Sequence, residues 1–414
     1  HQNRVEPCRV QPLRPSSLQP PRWQQPQYPD VTGHHRARSS MTEGNSKLIV
    51  THVISGDLWA GAEVQVYNLC RALKASGQIT PTAVVFNNGI LSEKLQELGI
   101  SVSIADETKL GPLAIARSIA AHCKSHGTKI LHTHGFKENA LGILGKDMAR
   151  VPRSVRTVHG NPETKLSFTK PHKWLISKLD IALGRLRQQA VIAVSTQLED
   201  TLKKLFPGKV YKIFNFVDID DIRRQWLFSK ESGGSPPRIG IVGRLVPVKR
   251  VDLFIQTIAL LNRRGFECTG TIIGSGPLES QLKKLTNELN ISDRVKFTGF
   301  VSPALKELCK LDALLMTSDH EGLPMTLLEA MSLGVNIIAH NVGGIPEVLD
   351  YGRAGMLVTD HTPDGYAQVV RSFFESQDFE SMRNARHPHE ILFKKFNVDE
   401  NSQRYISIYR ELIG

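Results

Sequence analysis

The stretch Arg238 to Leu261, RIGIVGRLVPVKRVDLFIQTIALL, decides the fold. It opens on a short apolar run that closes at Gly243. A cationic turn containing Pro247 follows, and then Val251, Phe254, Ile255, Ile258 and Leu261 recur at helical spacing. A β-branched run, a glycine and an amphipathic helix make one βα unit, the brick of a parallel sheet covered by helices.

Downstream, TGTIIG, RVKFTGF, ALLMTS, VNIIAH and AGMLV repeat the strand half of this unit, with helical segments between them. Upstream, LIVTHVI, TAVVF, KILHTH, SVRTVH and AVIAVS do the same, separated by segments such as AEVQVYNLCRALKASG and LAIARSIAAHCKSHG that end on a helix-terminating glycine. The two series meet at SKESGGSPPR, where Ser, Gly and Pro cluster without apolar periodicity. A chain of 414 residues is too long for one ordinary core. The expected fold class is therefore α/β, with doubly wound Rossmann-like parallel-sheet domains over 47–222 and 236–397. Ligands of such sheets bind beyond the C-terminal ends of the strands, so two facing domains would share a cleft.

Hydrophobic content of 40% and charged content of 22% are those of a globular protein, and no apolar run is long enough to span a bilayer. The first forty residues are crowded with Pro, Gln, Arg and Ser and precede Met41. Residues 1–46 are expected to be disordered or non-native, and they lack the apolar core of a secretory signal. Those forty carry six of the 52 Lys and Arg and two of the 40 Asp and Glu, so the remainder keeps a net charge of +8. A basic body suits phosphate-bearing ligands or an anionic membrane face. Cys8, Cys70, Cys123, Cys268 and Cys309 have no paired spacing, which predicts reduced thiols in a cytoplasmic protein.

After the strand ALLMTS comes Glu321-Gly322-Leu323-Pro324-Met325-Thr326-Leu327-Leu328-Glu329. A glycine-containing loop feeding a helix start offers free backbone N–H groups and a positive dipole end, which suits a diphosphate. Flanking carboxylates at Glu321 and Glu329 can accept hydrogen bonds from sugar and ribose hydroxyls. Thr326 and Glu329 also have capping-box spacing, and the sequence leaves both readings of Glu329 open. Gly243, Arg244, Lys249 and Arg250 place three cations at a helix start, against the helix dipole, so an anionic ligand or plain solvation must compensate. Gly274 and Gly276 read as a tight strand-to-helix turn, since Glu279 replaces the third glycine of a dinucleotide fingerprint.

In the first half, Ser55 to Glu63 forms a flexible loop before a helix, and His132, His134 and His159 end strands. These histidines lack the spacing of a helical zinc pair, so no metal is expected. Lys165, Lys170, His172, Lys173, Trp174 and Lys178 make a basic segment, read either as a solvated helix face or as a contact for anionic lipid headgroups.

Together, Glu321 to Glu329, Gly243-Arg244 with Lys249, IIGSGPL and Ala60-Gly61-Ala62-Glu63 resemble the retaining glycosyltransferases of family four, which have the GT-B fold. The resemblance runs from about Ile49 to the C-terminus. It implies that Arg244 and Lys249 neutralise the diphosphate of a nucleotide sugar, Glu321 meets the transferred sugar, Glu329 holds the ribose and His159 positions or polarises the reacting centre. Gly61, Gly243, Gly274, Gly276, Gly322, Leu323, Pro324, Met325 and Thr326 complete the implied donor site. The same resemblance implies that a C-terminal helix, 398–414, joins the N-terminal acceptor domain. Two positions depart from the family pattern: Ala60 stands for the first glycine of a Gly-Gly pair, and Phe216 for the glycine of an Asn-Gly-Val-Asp turn.

The resulting expectation is a metal-independent hexosyltransferase without cofactor. Its acceptor would be a saccharide or lipid-linked molecule in cell-surface polysaccharide or glycolipid synthesis, reached from the cytoplasm or the cytoplasmic face of the inner membrane. Nucleic acid is not expected as a partner, because basic and aromatic residues do not interleave. A nucleotide-sugar epimerase and a non-catalytic donor-binding subunit share these features.

Overall fold

A computed structural model describes residues 47–160, 181–226, 236–376 and 390–414. The basic segment at 165–178 lies outside them. Seven strands build the first sheet: β1 (Leu48–Ile54), β2 (Ile79–Val85), β3 (Ser101–Ile104), β4 (Ile130–Thr133), β5 (Arg153–Val158), β6 (Ala190–Ala193) and β7 (Val210–Lys212). Their order is β3-β2-β1-β4-β5-β6-β7, with every pairing parallel. The second sheet runs β10-β9-β8-β11-β12-β13, from β8 (Arg238–Val242), β9 (Thr269–Ile273), β10 (Val295–Gly299), β11 (Ala313–Met316), β12 (Asn336–His340) and β13 (Met356–Val358). It too is parallel throughout. Two doubly wound Rossmann-like domains are the GT-B architecture.

All six strand runs read from the second half are present, and five of the seven in the first. The two not anticipated, β3 and β7, are edge strands, SVSI and VYK, without a fully buried residue. A strand that buries little needs no apolar run, so its sequence carries little signal. The central strands β4 and β6 are buried at every position.

Strand order reverses between β1 and β4 and again between β8 and β11. The helices after neighbouring strands then go to opposite faces, and the loops part to leave a crevice. Within the second sheet the split is visible in the cores. Helix Val251–Arg263, after β8, packs with Ile239, Ile241 and Ile272, whereas helix Met325–Ser332, after β11, packs with Leu314, Met316 and Ile337.

The chain crosses between the sheets twice, side by side, where Val217 bridges Asn397. Helix Gly61–Ala75 grips the first crossing. Gln65, Asn68 and Arg71, three residues apart on one face, hold Phe216 N–H at 3.1 Å, Phe216 C=O at 3.1 Å and the Asp218 and Asp221 carboxylates. Phe216, the departure from the glycine turn, is fully buried with Leu69, Leu73 and Tyr405, so its side chain fills core rather than easing a bend.

Helix Val398–Ile413 follows the second crossing and lies on the first sheet's core with Tyr405, Ile406, Ile408 and Tyr409. The Tyr409 hydroxyl bonds His132 Nδ1 at 2.6 Å, both groups being buried. Tyr409→Phe should leave that nitrogen alone in the core and lower unfolding free energy by about 1–3 kcal/mol. Urea denaturation measures it, and an unchanged midpoint would remove the bond from the list of stabilising contacts.

Candidate functional site

Lys249 and Glu321 leave neighbouring strands at the second switch point and meet there, Nζ to Oε1 at 2.6 Å. Further bonds fix the two loops. Asp319 N–H donates to Val248 C=O at 2.8 Å, and the Thr317 hydroxyl reaches the Lys249 and Arg250 carbonyls at 3.0 and 2.8 Å. Lys249 lines a small recess with Gly243, Leu245, Met316 and Ser318.

The three cations of the sequence motif have different fates. Arg250 is paired with Asp252 and Asp319 within the protein, and Lys249 with Glu321. Arg244 is exposed and has no ion pair among the described residues. Charge compensation of the cluster is thus mostly internal.

Backbone proximity explains the glycines. A Cβ on Gly274 would collide with the Gly243 carbonyl, and one on Gly276 would come 2.7 Å from Leu245 N, so these turns stack on the Gly243–Leu245 loop. A Cβ on Gly322 would fall on the His159 carbonyl oxygen of the first lobe. Gly343, at φ +61°, and Gly344 lie against the Glu321 and Gly322 carbonyls in the same way. This Gly343-Gly344 pair was not anticipated. Its signal is a glycine doublet just past β12, within the very region where ligands bind.

Helix Met325–Ser332 begins at Pro324 with no side-chain cap and no acidic residue in its first turn. The capping-box reading of Glu329 therefore fails: Thr326 sits inside the helix, not at its cap. No hydrogen bond or ion pair engages the Glu329 carboxyl among the described residues, and burial pushes it up to about 7. The first lobe approaches this helix end at two places. Asn215 Nδ2 donates to Leu323 C=O at 2.8 Å, and a Cβ on Gly61 would stand 3.7 Å from Met325 Cγ. Across the cleft, Glu347 accepts from Thr196 N–H and its hydroxyl at 2.8 and 2.5 Å.

Four histidines stand behind the cleft in the first lobe. His52 Nδ1 lies 3.0 Å from His134 Nε2, and His134 Nδ1 lies 3.2 Å from His159 Nε2. His132, level with His52 in the β1–β4 register, has its ring centroid 4.2 Å from that of His134, the planes tilted by 32°. His52, in the middle of β1, was not singled out in the sequence because nothing in LIVTHVI reveals its neighbours. His52, His132 and His134 bring ring nitrogens within 4.8 Å of one another, a grouping that chain spacing could not show. Both His132 nitrogens are already engaged, by Tyr409 and by Thr157 at 2.8 Å. His52, His134 and His159 form a hydrogen-bonded column. Desolvation pushes His52 down to about 3 and His159 to about 4, with His132 and His134 well below the ordinary value. All four are neutral at physiological pH.

The two halves of the chain match two family models: Glycosyltransferase Family 4 over residues 59–221 and Glycosyl transferases group 1 over 222–387. Among related proteins, the amylovoran biosynthesis glycosyltransferase AmsK of Erwinia amylovora is 34% identical over 62% of this chain and 63% of its own. The N-acetyl-alpha-D-glucosaminyl L-malate synthase of Bacillus anthracis is 28% identical over 73% of this chain and 79% of its own. The crystal structure of Anabaena HepE in complex with UDP and glucose superposes with a TM-score of 0.71 at 19% identity, covering 88% of this chain and all of HepE.

Two outcomes follow from this geometry. Gly322→Ala must push the Glu321–Met325 loop off His159, so donor affinity should fall about tenfold or more as the cleft opens; calorimetry with a nucleoside diphosphate would register it. Acid should destabilise the fold between pH 6.5 and 4.5, because unfolded imidazoles bind protons there and the four buried ones do not. Each contributes a slope of about 1.4 kcal/mol per pH unit. Glu63 and Glu329, both raised to about 7 by burial, act in the opposite sense but are only two against four. A melting temperature that rises on going from pH 6.5 to 4.5 would contradict the neutral column.

Proposed function

Because the chain belongs to the group 1 glycosyltransferases of family four, enzymes that use nucleotide sugars, we propose that it transfers a hexosyl group with retention of configuration to a saccharide or lipid-linked acceptor. Synthesis of cell-surface polysaccharide or glycolipid is the setting, as the name of the Erwinia relative supports. No described helix is long and apolar enough to cross a membrane. In this reading the acceptor is met at the cytoplasmic membrane face or in solution.

The observation that carries this reading is the Lys249–Glu321 pair beside an uncapped helix start. In the proposed complex the diphosphate lies between Arg244, Lys249 and the N–H groups of the Met325 turn, where helix dipole and side-chain cations add. Glu321 keeps one carboxylate oxygen for a sugar hydroxyl while the other holds Lys249. Glu329 takes the ribose hydroxyls, Gly61 and Gly322 let the backbones close on the donor, and His159 lies behind the transferred sugar. As the bond to the leaving diphosphate lengthens, negative charge grows on its oxygen, and two preorganised cations stabilise it. The acceptor hydroxyl attacks from the face that the diphosphate leaves, and its proton passes to the departing phosphate oxygen. With these cations in place no metal or cofactor is required, so turnover should survive a chelator.

Incubation with uridine, guanosine and adenosine diphosphate sugars, with and without a glycan or lipid acceptor, tests the reading. Conversion of donor without acceptor would instead make the protein an epimerase. Lys249→Ala should lower kcat by about 10²- to 10³-fold with the fold intact, and near-normal turnover would remove Lys249 from the mechanism. Glu329 accepts from both ribose hydroxyls with both of its oxygens only when ionised, and more strongly so. Donor affinity should therefore fall as pH drops below about 7, and Glu329→Gln should abolish that dependence in the same titration.

A further inference from the structure

The histidine column joins the cleft to the middle of the first sheet. Its links run His52 Nδ1 to His134 Nε2 and His134 Nδ1 to His159 Nε2, at 3.0 and 3.2 Å. Its two ends, His52 Nε2 and His159 Nδ1, are buried and have no hydrogen-bond partner among the described residues. All three rings are neutral, so each carries one proton and two bonds in series must share three N–H groups.

Only two arrangements satisfy both bonds. If the protons point inward, His159 donates from Nε2 to His134, His134 donates from Nε2 to His52, and His52 Nε2–H is stranded in the core. If they point outward, His52 donates from Nδ1, His134 donates from Nδ1, and the unpaired N–H falls on His159 Nδ1. A buried donor without an acceptor is costly, and an unused imidazole lone pair less so. His52 is fully buried inside the sheet, with no ligand able to reach it. The Nδ1 atom of His159 is itself shielded, but the residue keeps some exposure and its backbone touches Gly322 across the cleft, so this is the end of the column that an acceptor arriving with substrate can meet. Column polarity is therefore outward.

We infer that His52 and His134 are positioning residues that set the tautomer of His159, holding its proton on Nδ1 so that it donates a hydrogen bond to an oxygen of the bound sugar or its diphosphate. This rests on the proposed placement of His159 beside the donor. The neutral ring cannot give up a second proton at working pH, so His159 is a fixed dipole rather than an acid, and preorganisation of that dipole is what the column supplies. His132 flanks the column in a tilted ring contact with His134, and Tyr409 and Thr157 occupy its nitrogens, so it supports the rings without joining the chain of bonds.

The test is a long-range proton–nitrogen spectrum of the full chain labelled with 15N-histidine, without donor, with His159 assigned by its loss in His159→Asn. The expected result is a proton-bearing Nδ1 and a bare Nε2 on His159. His134→Leu should move the proton to Nε2, while His134→Asn, whose amide can still donate from the Nδ1 position, should keep it on Nδ1. In turnover, His134→Leu should lose about tenfold or more in kcat with donor KM little changed, and His134→Asn should recover most of it. A wild-type His159 protonated on Nε2 overturns the inference, and that single spectrum decides it if His134→Leu does not fold. An unchanged tautomer in a folded His134→Leu overturns it too. Since the tautomer is read on the free protein, its failure leaves the proposed transfer reaction standing, whereas correct tautomers without sugar transfer would sink the reaction and leave the column intact.

Discussion

Lys249 and Glu321 are 72 residues apart, and the fold has to bring them together at one spot for the cleft to have its character. It does so by reversing strand order between β8 and β11, so that the loops carrying them diverge from adjacent strands and meet over the gap. The pair is partly buried, with side chains 28% and 9% exposed, so neither charge is well solvated and each needs the other. That mutual need holds the loop after β11 in the position from which Gly322 touches His159 and Leu323 receives Asn215. Arg250, paired with Asp319 at 3.4 Å, is a second charged anchor on the same loop.

The first lobe meets this charged rim with a different kind of order. Behind the cleft it sets neutral rings bonded to one another, kept uncharged by burial, while Lys212 brings a charge to Glu347 at the rim. Charge on those rings would compete with Lys249 for Glu321 or for an anionic ligand. Neutral donors and acceptors offer direction without adding net charge. On the proposed function the two lobes would divide the work, one supplying field and the other orientation.

How much of this was legible in sequence depended on whether a residue's role is local. The βα unit at Arg238–Leu261 announced itself because strand, turn and helix are adjacent in the chain, and Glu321, Gly322 and Glu329 because they surround one loop. The glycines at 274 and 276 were visible as a turn, although their stacking on residues 243–245 was not. What stayed hidden was set by packing between distant segments: the internal neutralisation of Arg250 by Asp319, the approach of Gly343 to Glu321, and above all the column that His52 completes. A histidine inside an apolar strand looks the same whether its neighbour is a leucine or another imidazole. The edge strands β3 and β7 escaped for the opposite reason, since little burial leaves little pattern.

The paired crossings at Val217 and Asn397 mean that the second sheet is, in topological terms, an insert within the first lobe, whose last helix is supplied by the far end of the chain. Shortening the protein from its C-terminus would unroof the first lobe before it touched the second. Recombination that exchanges one lobe for a relative's must accordingly cut twice, on both sides of residues 217 and 397, because a single crossover would graft a foreign helix onto the Tyr409 and His132 interface.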